Sequence, residues 1–500
     1  MVKSQHNGCG CVKAILRHFF VSDRRKLILK FTLKNLFVRK HIDLNAITDS
    51  KQGLEKNLSA FSLSMMGVGA IVGSGIFILP GILAAQYTGP GVMFSFLLAA
   101  VVCSLAALCY SEFSSTIPLA GSAYTYIYSI FGEFLAWILG WALISEYLFA
   151  VSSVAVSWSA YFQNILSGFG LKLPVALTAA AGTSSVPGAV FNLPAFIIVL
   201  LIALLLTGGI TESTRVNNVM VLIKISVIIL FVVVGAFYVK PSNWHPFLPF
   251  GFHGVLTGAS VAFYAYIGFD AVSTASEEVK NPQRDMPIGI ITSLIITTLL
   301  YTVLSTVLTG VVHYTKLNVD DPVAFALGLM NQNWVAGIIS VGAVVGMTTV
   351  LLVMSYGGTR LLFAISRDGL LPKALMKLNR KTHVPVLNTW IFGLIAAVFA
   401  AIIPLDRIAE LVNIGTLFAF ALVSVGVVFL RKDKVLGNAP KSFKVPLYPY
   451  LPWLSFIFCI VLMTQLRLFT WVAFVIWLII GLIVYFSYGY WHSLTRQEEE

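Results

Sequence analysis

Charge is scarce in this chain. Asp, Glu, Lys and Arg make up 11% of its 500 residues, and the acidic ones are scarcer still, 21 against 33 basic. A soluble domain carries about 25% charged residues, so an ordinary water-soluble globule is excluded for the bulk of the molecule. Cysteine is sparse as well. Cys103, Cys109 and Cys459 fall inside apolar runs, where a free cysteine behaves as a small hydrophobe. Cys9 and Cys11 form a CGC with no second pair to complete a metal site. None of the eight histidines falls centrally in an apolar run, and no HExxH or GxSxG pattern occurs. A membrane-embedded enzyme therefore lacks its residues. The repeated filter loop and the rings of charge that a channel uses are missing too. No cofactor and no catalytic or metal residues are expected.

What is present is apolar length. Hydrophobic residues make up 58% of the chain and mean hydropathy is +0.88. Runs long enough to cross a bilayer occur about twelve times, near residues 59–85, 90–112, 133–161, 193–210, 216–239, 254–277, 288–312, 334–363, 388–404, 408–430, 449–466 and 470–490. An even number of spans puts both termini on one side. Of the lysines and arginines, 26 fall on that side, 12 of them in the first 58 residues, and five on the other. The positive-inside rule then makes the termini cytoplasmic, where Cys9 and Cys11 stay reduced. The net charge of +12 follows from this topology and gives no support to a nucleic-acid partner; basic juxtamembrane loops attract anionic lipid instead. The segment from Ala14 to Lys40 mixes phenylalanine and leucine with dense basic charge. It reads either as a helix lying on the cytoplasmic leaflet or as a poorly ordered tail. It lacks the apolar core and cleavage site of a signal peptide.

Glycine is misplaced in the first span. Gly69 to Phe77 read GAIVGSGIF, and each glycine in a helix costs about 1 kcal/mol relative to alanine. Unwound backbone in a bilayer survives where it lines a cavity or binds something. A second interruption, AFYAYIGFD at residues 262–270, lies five spans later. One GxxxGxG also serves to pack a helix closely. Two interrupted helices at corresponding positions of two halves point to a transporter's substrate site.

The motifs GAIVGSGIF, SVAFYAYIGFDAVSTAS at residues 260–276, EEVKNPQR at 277–284 followed by MPIGI at 286–290, and SRDGLLP at 366–372 resemble the amino acid–polyamine–organocation superfamily. Within it the chain is similar to bacterial members of the cationic amino acid transporter family, over about residues 55–495. The resemblance implies an all-α polytopic membrane protein with the leucine-transporter-like 5+5 inverted repeat plus two peripheral helices. It implies a basic N-terminal segment at 1–58, a ten-helix core at 59–430, two peripheral helices at 431–491 and a short tail at 492–500. It also implies a secondary active carrier of L-amino acids, cationic or small neutral, in the cell membrane, working by sodium-independent, proton-coupled uptake or exchange. Its partners are then the substrate, protons and membrane lipids, and a small membrane subunit is compatible with the family. An amino acid sensor shares every binding motif, and only flux separates the two.

A free amino acid is a zwitterion, so its site needs donors for the carboxylate and acceptors for the ammonium. The half-helix starting near Ser74 offers unpaired N–H groups of Ser74, Gly75 and Ile76 and a positive dipole end. The free carbonyl of Ile71, with those of Tyr264, Ala265 and Ile267, is expected to receive the ammonium. Lys224, deep in the fifth span, needs a partner facing the bundle. By the resemblance it stands where sodium-coupled relatives hold a cation, bonding a carbonyl near Gly73 or Ser74. It serves as a proton carrier or as a fixed structural cation. Glu146 of the third span either lines the pocket, favouring cationic substrates, or caps a network between spans. Met354 of the eighth span is a candidate for the pocket wall, and Asp270 a structural residue ordering the unwound sixth span. Glu112, Glu277 and Glu278 read as gate or fold contacts.

Overall fold

The computed structural model describes residues 36–40, 58–119, 121–183, 186–208, 214–319, 321–380, 382, 384–433, 436 and 442–499. Most of the basic N-terminal segment, with Cys9 and Cys11, lies outside them, as do the side chains of Glu277 and Glu278. Among the described residues the protein is helical, with one isolated bridge between Leu58 and Val279.

Each of the twelve apolar runs forms a helix or a broken helix. The first is broken, Ala60–Ile71 and Ser74–Leu83. Unbroken helices follow for the second to fifth spans at Val92–Thr116, Glu133–Gly168, Leu193–Thr207 and Thr214–Ala236. The sixth is broken again, Gly251–Ala262 giving way to 3₁₀ turns at Phe263–Tyr266 and Phe269–Glu278. The seventh to tenth spans are Pro282–Val311, Asn333–Arg367, Val386–Ile402 and Leu405–Leu430. The last two, Tyr450–Thr464 and Leu468–Val484, lie at the periphery.

Local chemistry sets several of these starts. Ser59 accepts from the Ser62 N–H and Asn192 from the Ala195 N–H, capping the first and fourth spans. Proline at 194 and 282 opens the fourth and seventh, where its missing N–H costs nothing. The third and eighth spans run 36 and 35 residues, longer than their apolar cores. They pack on each other, while the second and first spans pack on the seventh. Two short connector helices were not legible from hydropathy, Ser122–Phe131 between spans two and three and Pro322–Leu329 between spans seven and eight.

The twelfth span is held by tryptophan. Trp141 and Trp477 each donate Nε1–H to the other's carbonyl at 2.8 Å, and their rings stack at 5.0 Å. Buried indole N–H groups need such partners. The outward face of this span, with Ile476, Ile479 and Ile483 about half exposed, suits contact with lipid.

Candidate functional site

The two breaks meet at mid-bundle. Helix Ala60–Ile71 ends because Val72 leaves helical geometry, with φ −74° and ψ 87°, and Gly73 carries the chain to the next half-helix. The last carbonyls of a helix have no internal acceptor role left, so they need outside donors. Val68 O takes the Val72 N–H, Gly69 O takes Lys224 Nζ at 2.7 Å, and Ile71 O takes the Tyr301 hydroxyl at 3.0 Å. Lys224 thus pairs with Gly69, one turn earlier than the expected Gly73 or Ser74, because the free carbonyls belong to the half-helix that ends and not to the one that begins. Its side chain is fully buried and runs past Gly346 of the eighth span, where an added Cβ would stand 2.9 Å from Lys224 Cγ. An ammonium at the negative end of a helix is favourably placed.

The new half-helix opens at Ser74 with no side-chain cap, so its first N–H groups face the gap without an internal acceptor. Ser74 Oγ lies 3.0 Å from the Tyr264 hydroxyl, which donates to Ser153 Oγ at 2.7 Å, which donates to Ala150 O at 2.9 Å. Tyr264 has one proton and spends it on Ser153, so Ser74 is the donor to Tyr264. That order leaves lone pairs on Ser74 Oγ available to a ligand.

The sixth span answers from the other side. Ile267 is extended and Gly268 has φ +121°, a conformation that favours glycine. A side chain at Gly268 would also stand 2.8 Å from Met354 Cε and 3.0 Å from Ala70 O. The Ala271 N–H bonds Gly268 O at 3.1 Å and Ser273 Oγ donates to Asp270 O, which orders the unwound stretch, and the Asp270 side chain is buried beside it. Tyr301 of the seventh span shares its one hydroxyl proton between Ala265 O at 2.7 Å and Ile71 O at 3.0 Å, so one phenol bridges both breaks.

Between them lies a cavity of about 20 Å³, room for about one water, lined by Ile71, Ser74, Gly75, Tyr264, Ile267 and Met354. Ala70, Gly73, Ala150, Val154 and Val350 complete its wall. Ile76 is buried and is not among its lining residues. Ala265 packs on Gly75 instead of lining it: a Cβ at Gly75 would sit 2.8 Å from Ala265 Cα. The glycine is therefore needed for helix approach even before any ligand arrives. Glu146 does not line this cavity. It stands one turn from Ala150, buried among Asp270, Thr416, Tyr110 and Tyr147, with Oε2 unbonded. A larger groove of about 100 Å³ opens between spans three, ten and twelve, but Ser145, its polar lining residue, spends its hydroxyl on Ala142 O.

Both ends of the site are closed. On one side the Tyr161 hydroxyl donates to Phe77 O at 3.1 Å, and Gly81 lies against Pro322 and the Leu317 carbonyl. On the side carrying Lys40 and the C-terminal helices, Ser122 and Ser273 bond at 2.7 Å, and Ser276 donates to Leu119 O. Glu112 holds Arg431 Nε at 2.7 Å and Nη2 at 2.8 Å and accepts the Val445 N–H, a fold contact between spans two and ten. Arg360 lies over the Tyr356 ring.

Tyr301, Ser153, Val154 and Val350 are absent from the sequence expectations. A tyrosine in mid-span signals a buried hydroxyl that needs a partner, but nothing local says which one. The apolar wall residues carry no signal at all.

A polytopic helical bundle with two unwound spans facing one closed, mainly apolar cavity defines a membrane carrier. The chain belongs to the amino acid permease family, whose model matches residues 58–487, and to the superfamily its motifs indicated. It is 51% identical over 465 residues to the branched-chain amino acid permease BcaP of Bacillus subtilis, covering 93% of this chain and 99% of that protein. It is 50% identical to the methylthioribose transporter of the same organism, covering 93% and 100%. Against a vacuolar cationic amino acid transporter 4 of Arabidopsis thaliana it is 37% identical, covering 80% and 67%. These relatives are transporters, and the chain is a permease, not an enzyme.

Proposed function

We propose that this permease moves L-amino acids with compact apolar side chains, from alanine to the branched-chain size, across the cell membrane by alternating access. It does so without sodium, coupled to protons, with both termini cytoplasmic. The observation that carries the reading is the cavity between the breaks. Its polar groups, the Ser74 half-helix start, Ser74 Oγ and the Ile71 carbonyl, match the α-carboxylate and α-ammonium. Its remaining wall is Ala70, Ala150, Val154, Ile267, Val350 and Met354, which offers nothing to a cationic side chain. A buried cation without a partner costs several kcal/mol, so lysine or arginine is disfavoured there. The cavity is too small for an amino acid as it stands, so the breaks separate when substrate enters, as alternating access requires.

Lys224 supplies a fixed positive charge at the end of the first half-helix, and a sodium ion is then unnecessary. Lysine can also lose its proton, which couples the tether to a proton gradient. The relatives' names leave the substrate open, since proteins 51% and 50% identical are named for a branched-chain amino acid and for methylthioribose. The test is uptake into proteoliposomes of leucine, alanine, lysine and methylthioribose, with and without sodium, under an inside-alkaline gradient. Accumulated leucine or alanine, equal in both buffers, is expected. Preference for lysine or methylthioribose sinks the substrate reading, dependence on sodium sinks the coupling, and binding without flux makes the protein a sensor.

A further inference from the structure

The end of the chain is not a loose tail. After the twelfth span, a stretch at Tyr485–Gly489 leads into the turns Tyr490–His492 and Leu494–Glu499. Arg496 is 2% exposed and Glu133, the first residue of the third span, 0%. Arg496 Nη2 bonds the Glu133 carboxylate, Nη1 donates to Tyr490 O at 2.9 Å, and the guanidinium lies 4.0 Å above the Tyr490 ring. The same carboxylate accepts from the hydroxyls of Tyr485 at 2.8 Å, Tyr128 at 3.2 Å and Ser493. A carboxylate with this many donors is strongly held, and removing its cation leaves a buried charge uncompensated.

The grip extends to moving parts. The Tyr128 hydroxyl of the connector helix Ser122–Phe131, whose one proton is shared with Glu133, lies 2.9 Å from Thr495 Oγ1, and the Leu494 N–H bonds Asp368 O at the end of the eighth span. His492 O presses against Gly369, whose φ is +85°. Asp368 in turn binds Lys40 Nζ at 2.7 Å and the Tyr124 hydroxyl at 2.9 Å. The connector helix also holds the unwound sixth span through Ser122 and Ser273. Opening the cavity on this side requires that segment to leave the connector helix, which the tail holds fixed from behind.

We propose that residues 485–496 form a clasp that keeps the face carrying the C-terminal helices closed, with Arg496–Glu133 as its lock. Its loss biases the carrier toward the state open on that side. This rests on alternating access but not on the substrate identity.

The test uses full-length protein in detergent, with Cys9 and Cys11 changed to serine. Two buried reporters are compared, Ala275→Cys at the inner end of the sixth span and Ala324→Cys in the connector helix at the opposite face. With Arg496→Gln, maleimide labelling of the inner reporter is expected to rise about tenfold while the outer one stays level or falls, a shift of the size one buried polar contact sets. Arg496→Lys and Thr495→Val, milder changes that keep the fold, are expected to give graded rises in the same direction. Equal rises at both reporters mean general loosening and overturn the clasp, as does no change in any of the three variants. If substrate uptake fails in the wild type but the inner reporter still responds, the substrate reading falls and the clasp stands.

Discussion

The two breaks line the same cavity with different backbones. The first span breaks cleanly, two residues between two α-helices, and presents a fresh helix start to the cavity. The sixth never recovers: 3₁₀ turns follow on both sides of Ile267 and Gly268, and the chain stays tight to Glu278. Under the proposed function the two supply opposite groups, donors from the first span and acceptors from the sixth. A helix start concentrates unpaired N–H groups and suits an anion. A 3₁₀ stretch has poorer hydrogen-bond geometry and leaves its carbonyls more available, which suits an ammonium. The first break depends on borrowed side chains, Lys224 and Tyr301, to satisfy the helix it ends. The sixth borrows Tyr301 for Ala265 O and Ser122 for Ser273, and otherwise turns on Gly268 within its own sequence.

The largest expected effect breaks the borrowed support of the first span. Lys224→Met keeps most of the length but leaves Gly69 O without its ammonium, at a cost of about 1–3 kcal/mol. Proton-driven accumulation in proteoliposomes should be abolished, with exchange surviving in part. Accumulation at the wild-type level would remove Lys224 from the coupling.

Next comes the contrast between the glycines. Gly268→Ala must hold a side chain at φ +121° and push Met354 aside, which costs about 1–2 kcal/mol from the backbone alone. Gly73→Ala meets Val350 Cγ2 at 3.2 Å, which a small shift relieves. Thermal unfolding of the purified variants should drop several degrees more for Gly268→Ala, and substrate binding should survive only in Gly73→Ala. Equal behaviour would mean that the two breaks are interchangeable.

Tyr301→Phe removes a hydroxyl that bonds carbonyls of both breaks. About 1 kcal/mol per lost bond is expected, read as weaker substrate binding with the fold retained. Unaltered affinity would show that the breaks hold their positions independently. The smallest effect tests what lies outside the cavity. Glu146→Gln should leave the ratio of lysine to leucine uptake unchanged, since Ala150 and not Glu146 faces the site. A shifted ratio would bring the carboxylate into the pocket in another state of the cycle.

Much of this was legible in advance. The twelve spans follow from hydrophobic length, because lipid accepts only long apolar helices with satisfied backbone. The breaks at Gly73 and Gly268 follow from glycine where a spanning helix avoids it, and the need of Lys224 for a partner follows from the cost of a buried charge. These are local consequences of one solvent acting on one stretch of chain. Tertiary structure alone decided which carbonyl Lys224 reaches, that Tyr301 ties Ile71 to Ala265, that Glu146 stands behind the cavity, and that Arg496 returns to Glu133. Each of those pairs joins residues 36 to 363 positions apart. A side chain's chemistry states what kind of partner it requires, but only the packing of helices determines which of many equivalent carbonyls and carboxylates lies within 3 Å of it.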